Sequence, residues 1–192
     1  MARQITLDVE TKNIFQEVGN DVKKLGISYV GVHDSENDEY FGFFEQDLNK
    51  MWPILEHADL IIGYNIKSFD YEVLAPYYRG DIKKFPTLDL LEVVKDILGF
   101  RLKLDNLAKG TLNRGKIGDG LDAVRYFREG KLDELAKYCL EDVRITREIF
   151  DYALFNNKLK YPDLGGVIKE FVVDLENYLP KSASNTQMSL AI

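Results

Sequence analysis

The alternation in Arg3-Gln4-Ile5-Thr6-Leu7-Asp8-Val9-Glu10-Thr11 constrains the fold more than any other stretch. Ile5, Leu7 and Val9 fall on one side of an extended segment, and Thr6, Asp8 and Glu10 on the other, which is the period of two that a strand requires. Residues 27–32 and 40–44, rich in β-branched and aromatic side chains, read as two further strands. The turn formers of residues 33–38 join them, so the chain opens as a three-stranded antiparallel meander. Asp8 and Glu10 project from one face, a pleat apart. Like charges at that spacing repel and resist joint ionisation. Such a pair stands either around a cation or at a solvated strand end, and the pair alone does not decide between them.

Residues 46–57 then carry Leu48, Met51, Trp52 and Leu55 at helical spacing, with Pro53 delaying or kinking the helix. Leu60-Ile61-Ile62-Gly63 is a continuous apolar run, the mark of a strand buried on both faces. A turn over residues 64–68 leads to a helix over 69–78, for which Ser68 is the expected N-cap. A short strand is expected at 84–87, followed by helices over 88–98, 104–112, 120–128 and 132–154 and an extended segment over 167–173. This order predicts an α/β fold: a mixed central sheet, three antiparallel strands followed by parallel ones, flanked by helices. The expected organisation is one domain over residues 1–176 and a flexible C-terminal tail over 177–192, where the composition turns to Lys, Ser, Asn and Thr after Pro180.

The 192 residues, 45% hydrophobic, suffice for a substantial core. One cysteine, Cys139, excludes an internal disulfide and a cysteine zinc site and fits a reducing compartment. His33 and His57 form no ligand pattern. The sequence starts as a strand rather than a leader, and no apolar run approaches the roughly 20 residues of a membrane span, so a cytoplasmic location without membrane contact is expected. The net charge of −7 argues against a generic nucleic-acid binder, but the charge is unevenly placed.

Two further carboxylates lie on elements that can meet the first pair. Asp70 falls at the start of the helix after the apolar strand, where the helix dipole favours an anion; that placement also serves simply to stabilise the helix. Tyr138 and Asp142, four residues apart, share a shoulder of the apolar stripe of the long helix, at about 100° per residue. Glu141 falls farther out and reads as surface.

LDVET, GYNIKSFD and YCLED, in this order, resemble the three exonuclease motifs of the DEDD superfamily of 3′–5′ exonucleases. The second and third are similar to the proofreading domain of family B DNA polymerases. The stretch LDNLAKGTLNRGKIGDGLDAVRYFREG with the long helix also looks like bacterial ribonuclease H-like domains, stand-alone or attached to helicases. The resemblance spans residues 3–156. It implies a ribonuclease H-like fold and a hydrolase of phosphodiester bonds acting on single-stranded or frayed DNA or RNA, in repair or replication. It also implies Asp8, Glu10, Asp70 and Asp142 as ligands of two divalent ions, Mg²⁺ or Mn²⁺, and Tyr138 as the residue that orients or deprotonates the attacking water. A histidine variant carries His five positions before the last aspartate; Lys137 stands there, so the chain matches the tyrosine variant. The chemistry agrees: two hard cations on oxygen ligands activate water and stabilise the leaving oxygen of a phosphodiester. The alternative is a non-catalytic ribonuclease H-like binding module of a repair or helicase complex.

Residues expected at the substrate are Thr11 and Asn65, the latter equally the Asn of a tight turn. Lys67, beside the acidic motif, is a backbone-phosphate candidate, as is Lys12. Phe69 and Tyr64 are candidates for base stacking, or for the core. Arg101, Lys103, Lys109, Arg114 and Lys116 make the loop over 101–116 basic, with only Asp105 opposing them in that stretch, and suit phosphate-backbone contact. Gly110-Thr111-Leu112-Asn113-Arg114-Gly115-Lys116-Ile117 nearly matches a P-loop, but Ile117 stands where a hydroxyl must bind Mg²⁺ and no strand precedes it. The final Gln187-Met188-Ser189-Leu190-Ala191-Ile192 resembles the C-terminal peptide that bacterial polymerases and repair proteins dock on the sliding clamp, through Gln187, Met188, Leu190 and Ile192. Deleting residues 186–192 is expected to abolish binding to the clamp in a pull-down or titration. Binding that is unchanged, or absent from the start, rejects the peptide.

Overall fold

The structure, a computed structural model, describes residues 2–115 and 120–179. Lys116, Gln187, Met188, Leu190 and Ile192 therefore lie outside the described residues. β1 (Gln4–Thr11) is the centre of a five-stranded sheet. On one side β2 (Ile27–Asp34) and β3 (Glu39–Phe43) continue it as the expected antiparallel meander. On the other side run β4 (Leu60–Gly63) and β5 (Thr87–Asp89), both parallel to β1, giving the order β3-β2-β1-β4-β5. Parallel neighbours need crossovers. α1 (Leu48–Glu56) and α2 (Asp70–Leu74) supply them.

After β5 come α3 (Leu90–Leu98) and α4 (Leu104–Leu107), the latter running into a π-helical turn, Ala108–Leu112. α5 (Gly120–Arg128) and the long α6 (Leu132–Asn156) follow. β6 (Lys158–Pro162) and β7 (Ile168–Val172) pair as a separate hairpin. No helix of the described residues is long and apolar enough to cross a membrane.

The sheet is covered on both faces. Ile5, Leu7 and Val9 pack with Leu55 of α1 and Leu74 of α2. On the opposite face Leu60 and Ile62 meet Ile145, Ile149 and Phe150 of α6, and Tyr29 meets Leu135 and Cys139. The polar face of β1 is therefore not a solvated one: Thr6 is fully buried and Glu10 is 8% exposed, because α6 lies across them.

Gly31 makes that close approach possible. It pairs with Asp8 in the ladder, and a Cβ there would stand 2.9 Å from both Cys139 Sγ and Val143 Cγ2. Gly110, which lent the loop its P-loop look, is small for a different reason: a Cβ would meet the backbone of Lys160 and Tyr161 at 2.4–2.5 Å. Thr111 beside it bonds both the carbonyl (2.9 Å) and the N–H (3.0 Å) of Lys160 through its hydroxyl. That glycine and threonine dock β6 rather than a phosphate.

Several boundaries differ from the sequence expectation. Pro86 has no N–H to give, contributes only its carbonyl to Ile61 N–H (2.7 Å), and the strand expected at 84–87 starts at Thr87 instead. Ser68 does not cap α2; Phe69 occupies that position without a side-chain bond, and the helix ends early in a 3₁₀ turn, Ala75–Tyr77, that contains Pro76. The helix expected over 104–112 changes to π geometry at Ala108, and β6 was not expected. Gly31→Ala should cost about 1–3 kcal/mol by forcing α6 off the sheet. Urea unfolding checks this beside Gly120→Ala, where a methyl meets nothing within 4 Å.

Candidate active site

β1 and β4 run together only from Gln4↔Leu60 to Thr6↔Ile62. Past Thr6 they part, and a crevice opens at the carboxyl ends of the parallel strands, where open α/β sheets bind ligands. α2 enters this crevice. Its first residue, Asp70, is buried, and the backbone at Asp70 and at Val9, the residue between Asp8 and Glu10, opposes the rise of its pKa. On the other side of β1 the ladder to β2 slips from Glu10↔Tyr29 to Thr11↔Ile27, a bulge that reorients the strand end beside the acids.

α6 closes the crevice from its third side. Tyr138, Cys139 and Asp142 are all buried along its inner face. The Cys139 thiol donates toward Asp8, lying 3.5 Å from its backbone oxygen and 3.5 Å from Oδ2. One donor atom each of Asp8, Glu10 and Cys139 lie within 4.8 Å of one another. Asp70 and Asp142 are not part of that group; Asp70 lies in electrostatic reach of Asp8, and Asp142 in reach of Cys139, with Tyr138 one helical turn before Asp142.

The electrostatics record the crowding. Burial and then the neighbouring Asp8 hold the Asp70 carboxyl well above the usual range. Burial, reinforced by Asp8, Glu10 and Asp142, likewise pushes the Cys139 thiol well above its ordinary 9.0. A thiol that keeps its proton is a poor metal ligand and a serviceable donor. What remains for a cation is a set of carboxylate oxygens, which fits a hard ion such as Mg²⁺ or Mn²⁺ rather than a thiophilic one.

Asp89, which the sequence reading passed over, organises the second motif. Buried at the end of β5, it accepts from Asn65 N–H (2.8 Å), Lys67 N–H (3.1 Å) and Leu91 N–H (3.0 Å). One side chain therefore holds the turn leading to Asp70 and caps α3. Burial raises its pKa, and the three N–H groups oppose that rise. The available signal was an Asp directly before the apolar helical run Leu90, Leu91, Val93, Val94.

The expected substrate residues have partners of their own. Thr11 donates its hydroxyl to the Asn13 carbonyl (3.0 Å). Asn65 adopts φ 66°, the turn conformation, and its side-chain oxygen accepts from Arg101 (2.8 Å). Lys67 pairs with Glu92 (2.6 Å), and Lys109 with Asp105 (2.6 Å). Lys12 pairs with Glu45. Phe69 stacks at 6.1 Å on Phe15, which is 42% exposed, while Tyr64 is tied through its hydroxyl to the Leu102 carbonyl (2.9 Å). Arg114 reaches α6, pairing with Glu148 (2.6 Å) and Glu141 (3.8 Å). Glu141, expected on the surface, is instead largely covered and also holds Arg144 (2.9 Å).

A model of the RNase_H superfamily matches residues 5–154. No curated protein matches the sequence. Among solved structures, the family B DNA polymerase from the hyperthermophilic archaeon Pyrobaculum calidifontis is similar over 80% of this chain, with a TM-score of 0.61 and 16% identity; the match takes in 25% of the polymerase chain. RNase D of Trypanosoma brucei is similar over 79% of this chain and 57% of its own, with a TM-score of 0.58 and 19% identity. The chain spans a quarter of the one and just over half of the other, and at these identities the likeness is one of fold. The mixed-sheet ribonuclease H-like fold expected from the motifs is the fold observed. Within it, Asp89→Ala removes the acceptor of three N–H groups and should cost about 2 kcal/mol in urea unfolding. Asp89→Asn, still a good cap, should retain most of that stability.

Proposed function

This chain belongs to the RNase_H superfamily, and from that premise we propose that it is a metal-dependent 3′–5′ exonuclease of the DEDD type, tyrosine variant. It hydrolyses phosphodiester bonds of single-stranded or frayed nucleic acid. The observation that supports this reading is the group of Asp8, Glu10 and Cys139, whose donor atoms lie within 4.8 Å of one another, with buried Asp70 in electrostatic reach of Asp8 and buried Asp142 in reach of Cys139.

In this reading Asp8, Glu10, Asp70 and Asp142 hold two divalent ions, Mg²⁺ or Mn²⁺. Such ions, when bound, activate the attacking water and stabilise charge on the leaving oxygen. Tyr138 orients that water through its hydroxyl; with a reference pKa of about 10, it acts at neutral pH by hydrogen bonding more than by taking a proton. Cys139 steadies the Asp8 carboxylate from behind, at 3.5 Å. Asp89 fixes the turn that delivers Asp70. The Phe15–Phe69 pair offers ring surface next in sequence to Asp70, on which a terminal base stacks. Lys67, Lys109 and Arg114 exchange their carboxylate partners for backbone phosphates.

The test is degradation of a strand labelled at one end. The parent is expected to shorten it from the 3′ end only with Mg²⁺ or Mn²⁺ present, and Asp8→Asn to lower the rate about 100-fold or more. Metal at 100 times its Kd should stabilise the parent by roughly 2.7 kcal/mol, and the variant by much less. Activity that survives Asp8→Asn overturns the site assignment. Binding of the strand without metal-dependent cleavage favours the binding-module reading instead.

A further inference from the structure

A cavity of about 690 Å³ lies beside the crevice, at the edge of the sheet where β5 has no strand partner among the described residues. Of the residues lining it, the proposed reaction uses only Lys67. Its rim carries Lys67, Lys83 and Lys84 against one acid, Glu92, on a chain whose net charge is −7. Lys67 and Lys83 are paired, with Glu92 (2.6 Å) and Glu72 (2.6 Å), whereas exposed Lys84 makes no ion pair among the described residues. Phe85 and Tyr178 add half-buried rings to the walls. On the floor, buried Tyr71 spends its hydroxyl on Thr87 Oγ1 (2.6 Å), so the polar end of that ring is satisfied.

Cationic side chains interleaved with rings are what a single strand needs: phosphates find the lysines, and bases find the ring faces. The volume falls within the range of small-ligand pockets, enough for a nucleotide. The cavity also borders the segment that leads to Asp70. Lys67 and Ser68 line it, and Asp70 follows two residues later.

We propose that the cavity at the free edge of β5 is a second binding site for the single strand, taking nucleotides 5′ to the scissile bond through Lys83 and Lys84. The inference rests on the exonuclease reading for the strand's direction. It adds a length preference: long strands use both sites, and a mononucleotide ester uses the catalytic crevice alone.

The experiment compares the parent chain with Lys83→Glu/Lys84→Glu and with a charge-matched control, Lys50→Glu/Lys158→Glu. Each is assayed on the p-nitrophenyl ester of thymidine 5′-monophosphate and on a single strand of about ten nucleotides. Anisotropy of the same strand, labelled, is read alongside. The expected result is a KM on the strand raised about tenfold in the first variant, and in that variant alone, at unchanged kcat, with the difference fading at high salt. The ester should be cleaved alike by all three chains. An equal KM on the strand for parent and variant overturns the second site, as does a parallel loss on the ester. A parent that cleaves neither substrate yet binds the labelled strand through Lys83 and Lys84 keeps the second site and overturns the exonuclease reading. A parent that neither cleaves nor binds overturns both.

Discussion

The contact of α6 with the bare backbone of Gly31 is the constraint on which the site depends. A side chain at position 31 would collide with Cys139 and Val143. Without one, the helix lies against the ladder position opposite Asp8. The same helix then does two things along its 25 residues. Its first half sets Tyr138, Cys139 and Asp142 against β1, while Ile145, Ile149 and Phe150 in the second half bind it to Leu60, Ile62 and Leu88. Acids that repel one another can be held together only by a frame with stabilising contacts elsewhere. Here the frame and the site are two ends of one interface.

That arrangement has a cost that depends on pH. Asp70 is raised above its ordinary 3.8 by burial and by Asp8. A carboxyl whose folded pKa is raised binds its proton more tightly in the folded chain. Its contribution is therefore fully present below 3.8 and is lost as pH rises through the raised value. Above that raised value the ionised carboxyl works against the fold, and a divalent cation held among the oxygens, as the proposed function requires, would offset the deficit by binding the folded chain alone. In the proposed function, metal binding and stability would be coupled through the same carboxylates.

The sequence exposed the parts of this design that repeat or alternate. The period of two in β1, the apolar run of β4 and the stripe of α6 were enough for the mixed sheet, though not for its strand order. Asp8, Glu10, Asp70, Tyr138 and Asp142 could be singled out because they recur as motifs. What stayed hidden depends on contacts between distant residues. Gly31 looks like any strand glycine until α6 is laid over it. Asp89 looks like one of many acids until the turn at Asn65 and Lys67 closes on it. Cys139 reads as core, and it is core, yet its thiol faces Asp8. Polarity also misled: Glu10 sits on an apparently hydrophilic face that the fold covers, and Glu141, read as surface, is largely covered.

The basic side chains bear on how an acidic chain would hold a polyanion, as the proposed function requires. The loop over residues 101–116 looks like a free basic patch only when its own stretch is considered. In the fold Arg114 lies between Glu141 and Glu148, Lys109 is on Asp105, and Lys67 is on Glu92. A phosphate arriving there replaces a carboxylate rather than meeting a bare charge. Exposed pairs of this kind are worth about 0–1 kcal/mol, so the exchange is cheap, but each one yields less than an unpaired lysine would. In the proposed function, affinity would then come from elsewhere: from metal ions held by the carboxylates, and from rings such as Phe15 and Phe69. A strand held mainly that way depends on salt less steeply than a count of nearby lysines suggests, because fewer counterions are released for each contact formed.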